Sequence, residues 1–133
     1  MQTFLPYPDF EKTAQVLDYR RLGRQRVEAY QILRTLSGLS EGWSNHPAVR
    51  MWRGYESALS AYMNSMIREW VDRGYNNRMF LVELTEAYEY PPWFGDPDFH
   101  AAHRSNLLRK DLEYYRRYWP CEPDDLPYVW PVP

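Results

Sequence analysis

The sequence predicts an all-α fold: a compact bundle of three to four helices in a single domain that spans residues 1–133, with an extended, proline-rich tail at its C-terminal end. Apolar residues recur at helical spacing over two long stretches, as on the buried face of a helix. Prolines gather near the N-terminus, in a loop near residue 91 and in the C-terminal tail, where they interrupt helices. A chain of 133 residues also has the usual length of one domain with one core.

The first helix is expected to follow an extended N-terminal segment, residues 1–9. Asp9 can cap this helix, which then runs from about residue 10 to residue 37 and is loosened at Gly23. The sequence Ser-Gly-Leu-Ser that starts at Ser37 is a stop signal, and a loop follows it.

The second helix is expected to begin at Pro47, which suits the first turn of a helix, with Asn45 as its N-cap. It runs to about Arg73, and Gly74 follows as a C-cap. An apolar stripe predicts the side of this helix that faces the core, and it is formed by Trp52, Tyr55, Leu59, Tyr62, Met66 and Trp70.

The helical pattern is shorter in the rest of the chain. We expect a third helix over residues 78–88 and then a loop over 90–98, which three prolines keep irregular. A final helical region covers about 100–119. The tail, residues 120–133, holds five prolines, and we therefore expect it to lie extended on the surface of the bundle.

The composition is that of a soluble globular protein, with 44% hydrophobic and 26% charged residues. No apolar run approaches the length of about 20 residues that a membrane span requires, and the N-terminus lacks the pattern of a signal peptide. The single cysteine, Cys121, excludes an internal disulfide and fits a reducing compartment. We therefore expect a cytoplasmic protein with no membrane partner.

Several common kinds of site lack their residues in this chain. His100 and His103 share a helical face, but the sequence supplies no third ligand near them, which argues against a metal site. The chain has no phosphate-binding glycine-rich loop, no nucleophile elbow and no HExxH motif. We expect neither a metal nor another cofactor.

Basic residues are concentrated in two parts of the chain, although the net charge is −2. One cluster lies at 20–26 and the other at 104–117, and most of the basic residues are arginine, whose planar fork suits phosphate. Aromatic residues stand within the second cluster and could stack on unpaired bases, or they could be bulky core residues. The candidates for DNA contact are Arg20, Arg21, Arg24, Arg104, Arg109, Lys110, Arg116, Arg117, Tyr115 and Trp119.

The segment Leu17–Glu28 is the most informative part of the sequence. On a helix it brings Arg21, Arg24 and Glu28 to one face, since residues three, four and seven apart overlap. The opposite face, which we expect to contact the core, carries Tyr19, Leu22, Tyr30 and Leu33. Arg24 and Glu28 fit an ordinary i,i+4 ion pair, but the arginines around them repel one another at a cost that a polyanion would offset. Glu28 is therefore a candidate acid-base group in an anion-binding surface, and a structural ion pair is the alternative.

The N-terminal amine is a candidate nucleophile. An α-amine has a reference pKa of about 7.7–8.0, against about 10.4 for lysine, so that far more of it is neutral near neutral pH. Lys12 and Lys110 are the only lysines, which favours the amine of Met1 for Schiff-base chemistry. The bulky Gln2 is expected to protect Met1 from removal by methionine aminopeptidase.

These motifs, in this order, resemble those of the pyrimidine-dimer DNA glycosylase/AP lyase family of the phage endonuclease V type and its bacterial relatives. The resemblance covers nearly the whole chain and rests on the short N-terminal segment, Leu22 with Glu28, Pro47, Arg73–Asn76, Arg109 and the run Tyr114–Trp119. The segments at 103–111 and 124–131 look closer still to small uncharacterised bacterial and phage members of that family.

The resemblance implies a compact all-α fold and a reaction without metal or cofactor. The amine of Met1 would attack C1′ of the damaged nucleotide, the base would leave, and a Schiff base would form before elimination nicks the strand. Glu28 would be the acid-base group, and the arginines would hold the phosphates of a kinked duplex from which a nucleotide is extruded. The implied role is base excision in DNA repair by a monomer. Its partner would be double-stranded DNA with a damaged or modified base, in the bacterial nucleoid or in a phage-infected cell.

Two features depart from the phage pattern. Gln2 predicts that Met1 is retained, whereas the phage enzyme exposes a small residue after loss of its methionine. Val27 precedes Glu28, where the phage enzyme has an arginine before its glutamate. The substrate could therefore be another modified pyrimidine, an abasic site or a hypermodified phage base. The alternative functions are a non-catalytic DNA- or RNA-binding helical module that uses the same arginines, and a helical domain that binds an acidic protein.

Overall fold

The computed structural model of the protein describes residues 1–84 and 87–132, and it confirms the all-α prediction. The secondary structure of these residues consists of α1 Phe10–Val16, α2 Tyr19–Leu36, α3 Pro47–Arg50, α4 Glu56–Asp72, α5 Pro97–Lys110 and α6 Leu112–Tyr115. The helices α1, α2, α4 and α5 build the bundle, and α3 and α6 are single turns of four residues each. Within these ranges no helix is long and apolar enough to cross a membrane.

The predicted first helix is two helices, and the break lies at Leu17 and Asp18 rather than at Gly23. Asp9 caps α1, as predicted, through a hydrogen bond from the backbone N–H of Lys12. Leu17 is extended and fully buried, and the carboxylate of Asp18 then caps α2 by accepting the backbone N–H of Arg21. An aspartate in this position satisfies a free N–H group at the start of a helix, and so a new helix begins at once.

Gly23 is a packing residue, and α2 runs through it without interruption. A Cβ atom at this position would lie 2.8 Å from ring carbon Cζ3 of Trp70, which shows how closely α2 approaches α4 there. The Trp70 ring is fixed in turn, because its Nε1–H donates to the carbonyl oxygen of Asn76 and the guanidinium of Arg26 lies over it. Glycine is therefore required by the contact between helices and not by a bend in the backbone.

The predicted second helix is also divided. Residues 51–55 separate α3 from α4, and Gly54 takes a positive φ of 88° in this turn. The N-cap of α3 is His46 and not Asn45, because His46 Nδ1 accepts the backbone N–H of Ala48 at 3.0 Å. Gly74 follows α4 with a φ of 91°, as expected for a C-terminal glycine.

The predicted third helix is wrong for the residues that the structure describes. Residues 78–84, 87 and 88 are irregular, and Thr85 and Glu86 lie outside the described residues. The side chain of Asn64 instead holds the backbone of Val82 by two hydrogen bonds, of 2.8 and 2.9 Å. A buried amide on α4 thereby satisfies peptide groups that a helix would have paired internally.

The final helical region starts earlier and ends earlier than predicted. Asp96 caps α5 at Pro97, and Asp111 caps α6, which ends at Tyr115. The tail forms no helix or strand over residues 120–132, but it begins with a turn and bends at 120–124 rather than as one extended segment, and its last residues pack against the core through Val129, Trp130 and Val132.

The core lies where α1, α2, α4 and α5 meet the N-terminal segment. The predicted stripe on α4 is buried at Leu59, Tyr62 and Met66. On α2, Leu22 is buried as predicted, but Tyr19 and Tyr30 are 48% and 45% exposed. The buried face of α2 is therefore narrower than the apolar face that the sequence predicts.

The contact at Gly23 predicts the effect of a single methyl group. Gly23→Ala improves helix propensity by about 1 kcal/mol, but overpacking against the fixed Trp70 ring costs about 1–3 kcal/mol. We expect a net loss of about 1 kcal/mol in the free energy of unfolding, measured by urea titration. Gly42→Ala is the control, since nothing lies within 4 Å of a Cβ atom there. If Gly23→Ala is no less stable than Gly42→Ala, the packing explanation is wrong.

Candidate active site

The N-terminal segment is held inside the bundle by side chains of α5 and of the turn between α3 and α4. The backbone N–H of Leu5 donates to His103 Nδ1 at 2.9 Å, and the carbonyl oxygen of Leu5 lies 2.7 Å from His100 Nδ1. Thr3 is buried and accepts the indole N–H of Trp52 at 3.0 Å. These bonds fix the direction in which the chain approaches α2 and therefore the position of Met1.

His100 and His103 thus have a structural role. His100 donates from Nδ1 to Leu5, because its Nε2 accepts the backbone N–H of Gly95 at 2.9 Å. Burial lowers the pKa of both rings, that of His103 to about 3, and so both are neutral near neutral pH. A neutral ring with an unprotonated Nδ1 is the form that His103 needs in order to accept the N–H of Leu5.

Gln25 links the N-terminal segment to α2 and to Glu28. Its Oε1 accepts the backbone N–H of Phe4 at 3.0 Å and lies 2.6 Å from the hydroxyl of Tyr62. Its Nε2 donates to the carbonyl oxygen of Gln2 at 3.0 Å and to Glu28 Oε2 at 2.9 Å. Only 1% of Gln25 is exposed, and one amide group therefore fixes the backbone on both sides of residue 3 and orients the carboxylate.

Glu28 is a half-buried carboxylate beside the N-terminal amine. Burial raises its pKa above the ordinary value. The positive charge of the amine opposes this shift, as do the backbone of Gln2, the amide of Gln25 and the guanidinium of Arg24. A carboxyl group with a raised pKa can accept and return a proton near neutral pH more readily than an exposed one.

Four of the basic residues that the sequence singles out line one cleft of about 590 Å³. Arg20 and Arg24 are exposed on α2, and Lys110 reaches the cleft from the end of α5. Arg21 lies between them and forms an ion pair of 3.1 Å with Asp18. The structure therefore brings together residues of both basic clusters, which are far apart in the sequence, and Arg24 lies within electrostatic range of Glu28.

Arg117 lies near this cleft but is held on two rings. Its guanidinium stands 4.7 Å from the ring centroid of Tyr114, which also lines the cleft, and 5.7 Å from that of Tyr118. Its charge is exposed, and it extends the basic surface beyond Lys110.

Three predicted DNA contacts bind the chain's own backbone instead. Arg104 pairs with Glu122 at 2.9 Å and donates to the carbonyl oxygen of Pro6. Arg109 donates to two carbonyl oxygens of the tail, and Arg116 donates to three in the same region. These side chains hold the tail in place. The spacing of arginines in the sequence does not show whether they bind backbone carbonyl groups or phosphates.

Tyr115 and Trp119 are core residues and not surface aromatics. Tyr115 is fully buried, and its ring stacks on that of Trp119, which is 5% exposed. The Tyr115 hydroxyl donates a short hydrogen bond to the Asp18 carboxylate and accepts the backbone N–H of Asp18 at 3.1 Å. Burial raises the pKa of Asp18, but the hydrogen bonds from Tyr115 and Arg21 outweigh it and leave that pKa below the ordinary value. The pair therefore joins α6 to the start of α2.

A sequence model of the pyrimidine dimer DNA glycosylases matches residues 1–82, which is more than half of the chain. The chain belongs to the pyrimidine dimer DNA glycosylase family. No curated protein and no solved structure matches it. Membership supports a DNA glycosylase function in DNA repair, with DNA that contains pyrimidine dimers as the partner of the family.

The part of this glycosylase that matches its family contains the N-terminal site. Met1, Gln25 and Glu28 lie in it, as do the arginines of α2. The match ends before α5, and so Lys110 and the tail are features of this chain that the family model does not cover.

Sequence reasoning missed three residues around Met1 and Glu28. Gln25 lies within a charged helix, and its residue type alone does not distinguish a buried amide from an exposed one. His46 lies within electrostatic range of the amine, and burial together with the charge of that amine lowers its pKa. Tyr128 comes from the tail, where burial and the charge of Glu28 raise its pKa. Only the position of Gln25 three residues before Glu28 on the same helix could have indicated its role.

The central place of Gln25 predicts a large effect of removing its amide. Gln25→Leu leaves the peptide groups of residues 2 and 4 and the Glu28 carboxylate without their buried partner, and we expect a loss of about 2–4 kcal/mol in the free energy of unfolding. Gln31→Leu, an exposed position on the same helix, should change it by less than about 0.5 kcal/mol. Equal stability of the two variants in urea titration would contradict the assigned role.

Proposed function

We propose that this chain is a DNA glycosylase and AP lyase in which the amine of Met1 is the nucleophile and Glu28 is the acid-base group. The observation that carries the proposal is the pair of hydrogen bonds from Gln25 Nε2, which ties the amine-bearing segment at Gln2 to the carboxylate of Glu28. Imine chemistry on a sugar requires an amine and an acid-base group. Here the amide of Gln25 binds both the peptide group next to the amine and the half-buried carboxylate.

The glycosylase step exchanges one bond of C1′ for another. The lone pair of the Met1 nitrogen attacks C1′ as the glycosidic bond breaks, and the electrons of that bond leave with the base, which takes up a proton. The nitrogen then loses a proton, the C1′–O4′ bond opens with protonation of O4′, and an iminium ion joins the nitrogen to C1′. In this proposal Glu28 relays these protons.

The lyase step follows from the positive charge of the iminium ion, which acidifies the hydrogen on C2′. Glu28 removes that proton, a double bond forms between C2′ and C3′, and the 3′ phosphate leaves, which nicks the strand. Water then adds to C1′ and releases the free amine of Met1. The raised pKa of Glu28 suits a group that must both take up and return protons during one turnover.

The cleft lined by Arg20, Arg21, Arg24 and Lys110 supports the choice of a polyanion as the substrate. We propose that it holds backbone phosphates next to the lesion, since it carries more positive than negative side chains and adjoins Glu28 through Arg24. Phosphate contacts of this kind position a duplex without reading its sequence. They also offset the cost of kinking the duplex so that C1′ can reach the amine.

The covalent intermediate provides the direct test. Untagged protein with a free amine on Met1, verified by intact mass spectrometry, should be trapped on abasic duplex DNA by borohydride, with the adduct mapping to residue 1. The adduct should persist in Lys12→Arg/Lys110→Arg, which removes the competing amines. Acetylation of the terminus should abolish it. An adduct that maps to a lysine, or a native protein that gives none, would refute the nucleophile.

Glu28→Gln should reduce strand incision by about 100-fold or more, as expected for loss of a general acid-base group. Burial raises the pKa of Glu28, so the charged form is less favourable in the folded state, and the neutral glutamine should leave thermal stability at pH 7 undiminished. Glu11→Gln, an exposed acid on α1, is the control and should keep full activity. Salt-sensitive binding without an adduct or incision would instead indicate the non-catalytic DNA-binding module.

The basic cleft predicts a uniform loss of DNA affinity. Arg24→Gln and Lys110→Gln should each weaken binding to undamaged and damaged duplex several-fold and reduce the slope of log K against log salt by about 0.9. Arg68→Gln, an exposed arginine of α4 outside the cleft, is the matched control. Fluorescence anisotropy over a range of salt concentrations measures both quantities, and an unchanged slope in the cleft variants would remove them from the phosphate contacts.

A further inference from the structure

The exposed indole of Trp43 packs on His46, the N-cap of α3. Trp43 is 61% exposed, although tryptophan is among the residues that a protein gains most by burying. Its ring meets that of His46 edge to face, at 5.5 Å between centroids. His46 lies within electrostatic range of the N-terminal amine, and Trp52, which follows the helix that His46 caps, donates to Thr3, so the indole lies on the side of the bundle that holds the N-terminal segment.

The tail completes an aromatic cluster around this indole, formed by Trp43, His46, Tyr128 and Trp130. His46 meets Trp130 at 5.6 Å, nearly perpendicular, and Trp130 packs on Tyr128 at 4.7 Å. His46 is further fixed because its Nδ1 caps α3. The indole of Trp43 therefore rests on a rigid support and keeps at least one face open, since an edge-to-face contact covers no more than one.

The backbone at Trp43 is in a conformation that disfavours a side chain. Trp43 has a φ of 70°, and among the described residues it is the one non-glycine residue with a positive φ. The turn is held by a 2.9 Å hydrogen bond from the N–H of His46 to the carbonyl oxygen of Trp43. A glycine would occupy this position without strain, and the neighbouring residue is a glycine. A bulky side chain in strained backbone, aimed at solvent beside a site, is typical of a ligand contact.

The other exposed aromatic rings pack on neighbouring groups or lie elsewhere, and Tyr90 stacks on Phe94 while Tyr118 packs on Tyr114. Tyr19 stacks on Tyr75, and Tyr30 is covered by the guanidinium of Arg34. Phe80 lines an apolar groove together with Tyr30, away from Met1. Among these rings, Trp43 combines an open face with a contact to His46, which lies within electrostatic range of the amine.

We infer that the indole of Trp43 is the surface on which a nucleobase stacks when it leaves the helix at the lesion. The inference rests on the proposed function, because that function places the lesion at Met1. Every base has a π face, and an aromatic ring that accepts it offsets the cost of unstacking without reading the sequence. The neutral, rigid support of Trp43 suits this role better than the arginines, which bind the phosphates.

A duplex that cannot react isolates stacking from catalysis. It carries a tetrahydrofuran abasic analogue opposite 2-aminopurine, whose fluorescence rises on unstacking and is quenched by an indole. We expect wild-type protein to quench this base on binding. Trp43→Gly should lose the quenching and bind the duplex roughly tenfold more weakly. Trp43→Phe should restore most of the affinity, and Phe80→Ala should behave as wild type.

Glycine is chosen because it adopts a positive φ without strain, so that Trp43→Gly should melt no lower than the wild type. If Trp43→Gly quenches and binds as the wild type does, the inference is overturned, whether or not the borohydride adduct forms. If the wild type shows Trp43-dependent quenching but gives no adduct with natural abasic DNA, the stacking role of Trp43 is supported and the proposed reaction of the Met1 amine is refuted. A wild-type protein that does not bind the duplex overturns both.

Discussion

The amide of Gln25 is the interaction on which the N-terminal site depends. The first residues of a chain ordinarily fray, since nothing fixes their conformation. Here the buried amide of Gln25 accepts the backbone N–H of Phe4 with its oxygen. Its nitrogen donates both to the carbonyl oxygen of Gln2 and to the carboxylate of Glu28. The segment is anchored further on by His100 and His103. The same bonds that give the segment its structure therefore also set where the amine of Met1 stands.

The stability of the fold depends on pH at the two acids of α2, and the first of these is Glu28. Burial raises the pKa of this carboxyl group above its value in the unfolded chain. The contribution of Glu28 to stability is therefore most favourable at acid pH, and it declines as the pH rises through the folded-state pKa. Asp18 has the opposite dependence, because Tyr115 and Arg21 lower its pKa and its stabilising effect is lost as the pH falls. The helix α2 thus carries Asp18, whose charged form stabilises the start of the helix, and Glu28, whose charged form is disfavoured by burial.

The sequence predicted those features that depend on local chemistry. The all-α class, the cap at Asp9, the glycine after α4 and the shared face of Arg24 and Glu28 all follow from residues close together in the chain. The break before α2 could not be predicted from nearby residues, because Asp18 starts a helix there with the help of Tyr115, which lies 97 residues away. The contacts of the tail arginines could not be predicted for the same reason. Arg109 has the spacing of a phosphate ligand, but its partners are carbonyl oxygens that only the folded tail presents to it.

The arginines Arg104 and Arg109 connect the tail to the rest of the fold. Arg104 ties the tail at Glu122 to the N-terminal segment at Pro6, and Arg109 holds the tail further along. The chain continues from these clamps to Tyr128 and Trp130, which reach the aromatic cluster beside Met1. The family match stops at residue 82, before Arg104, Arg109 and the tail. The N-terminal part therefore supplies the amine and the carboxylate, and the tail supplies part of the wall next to them.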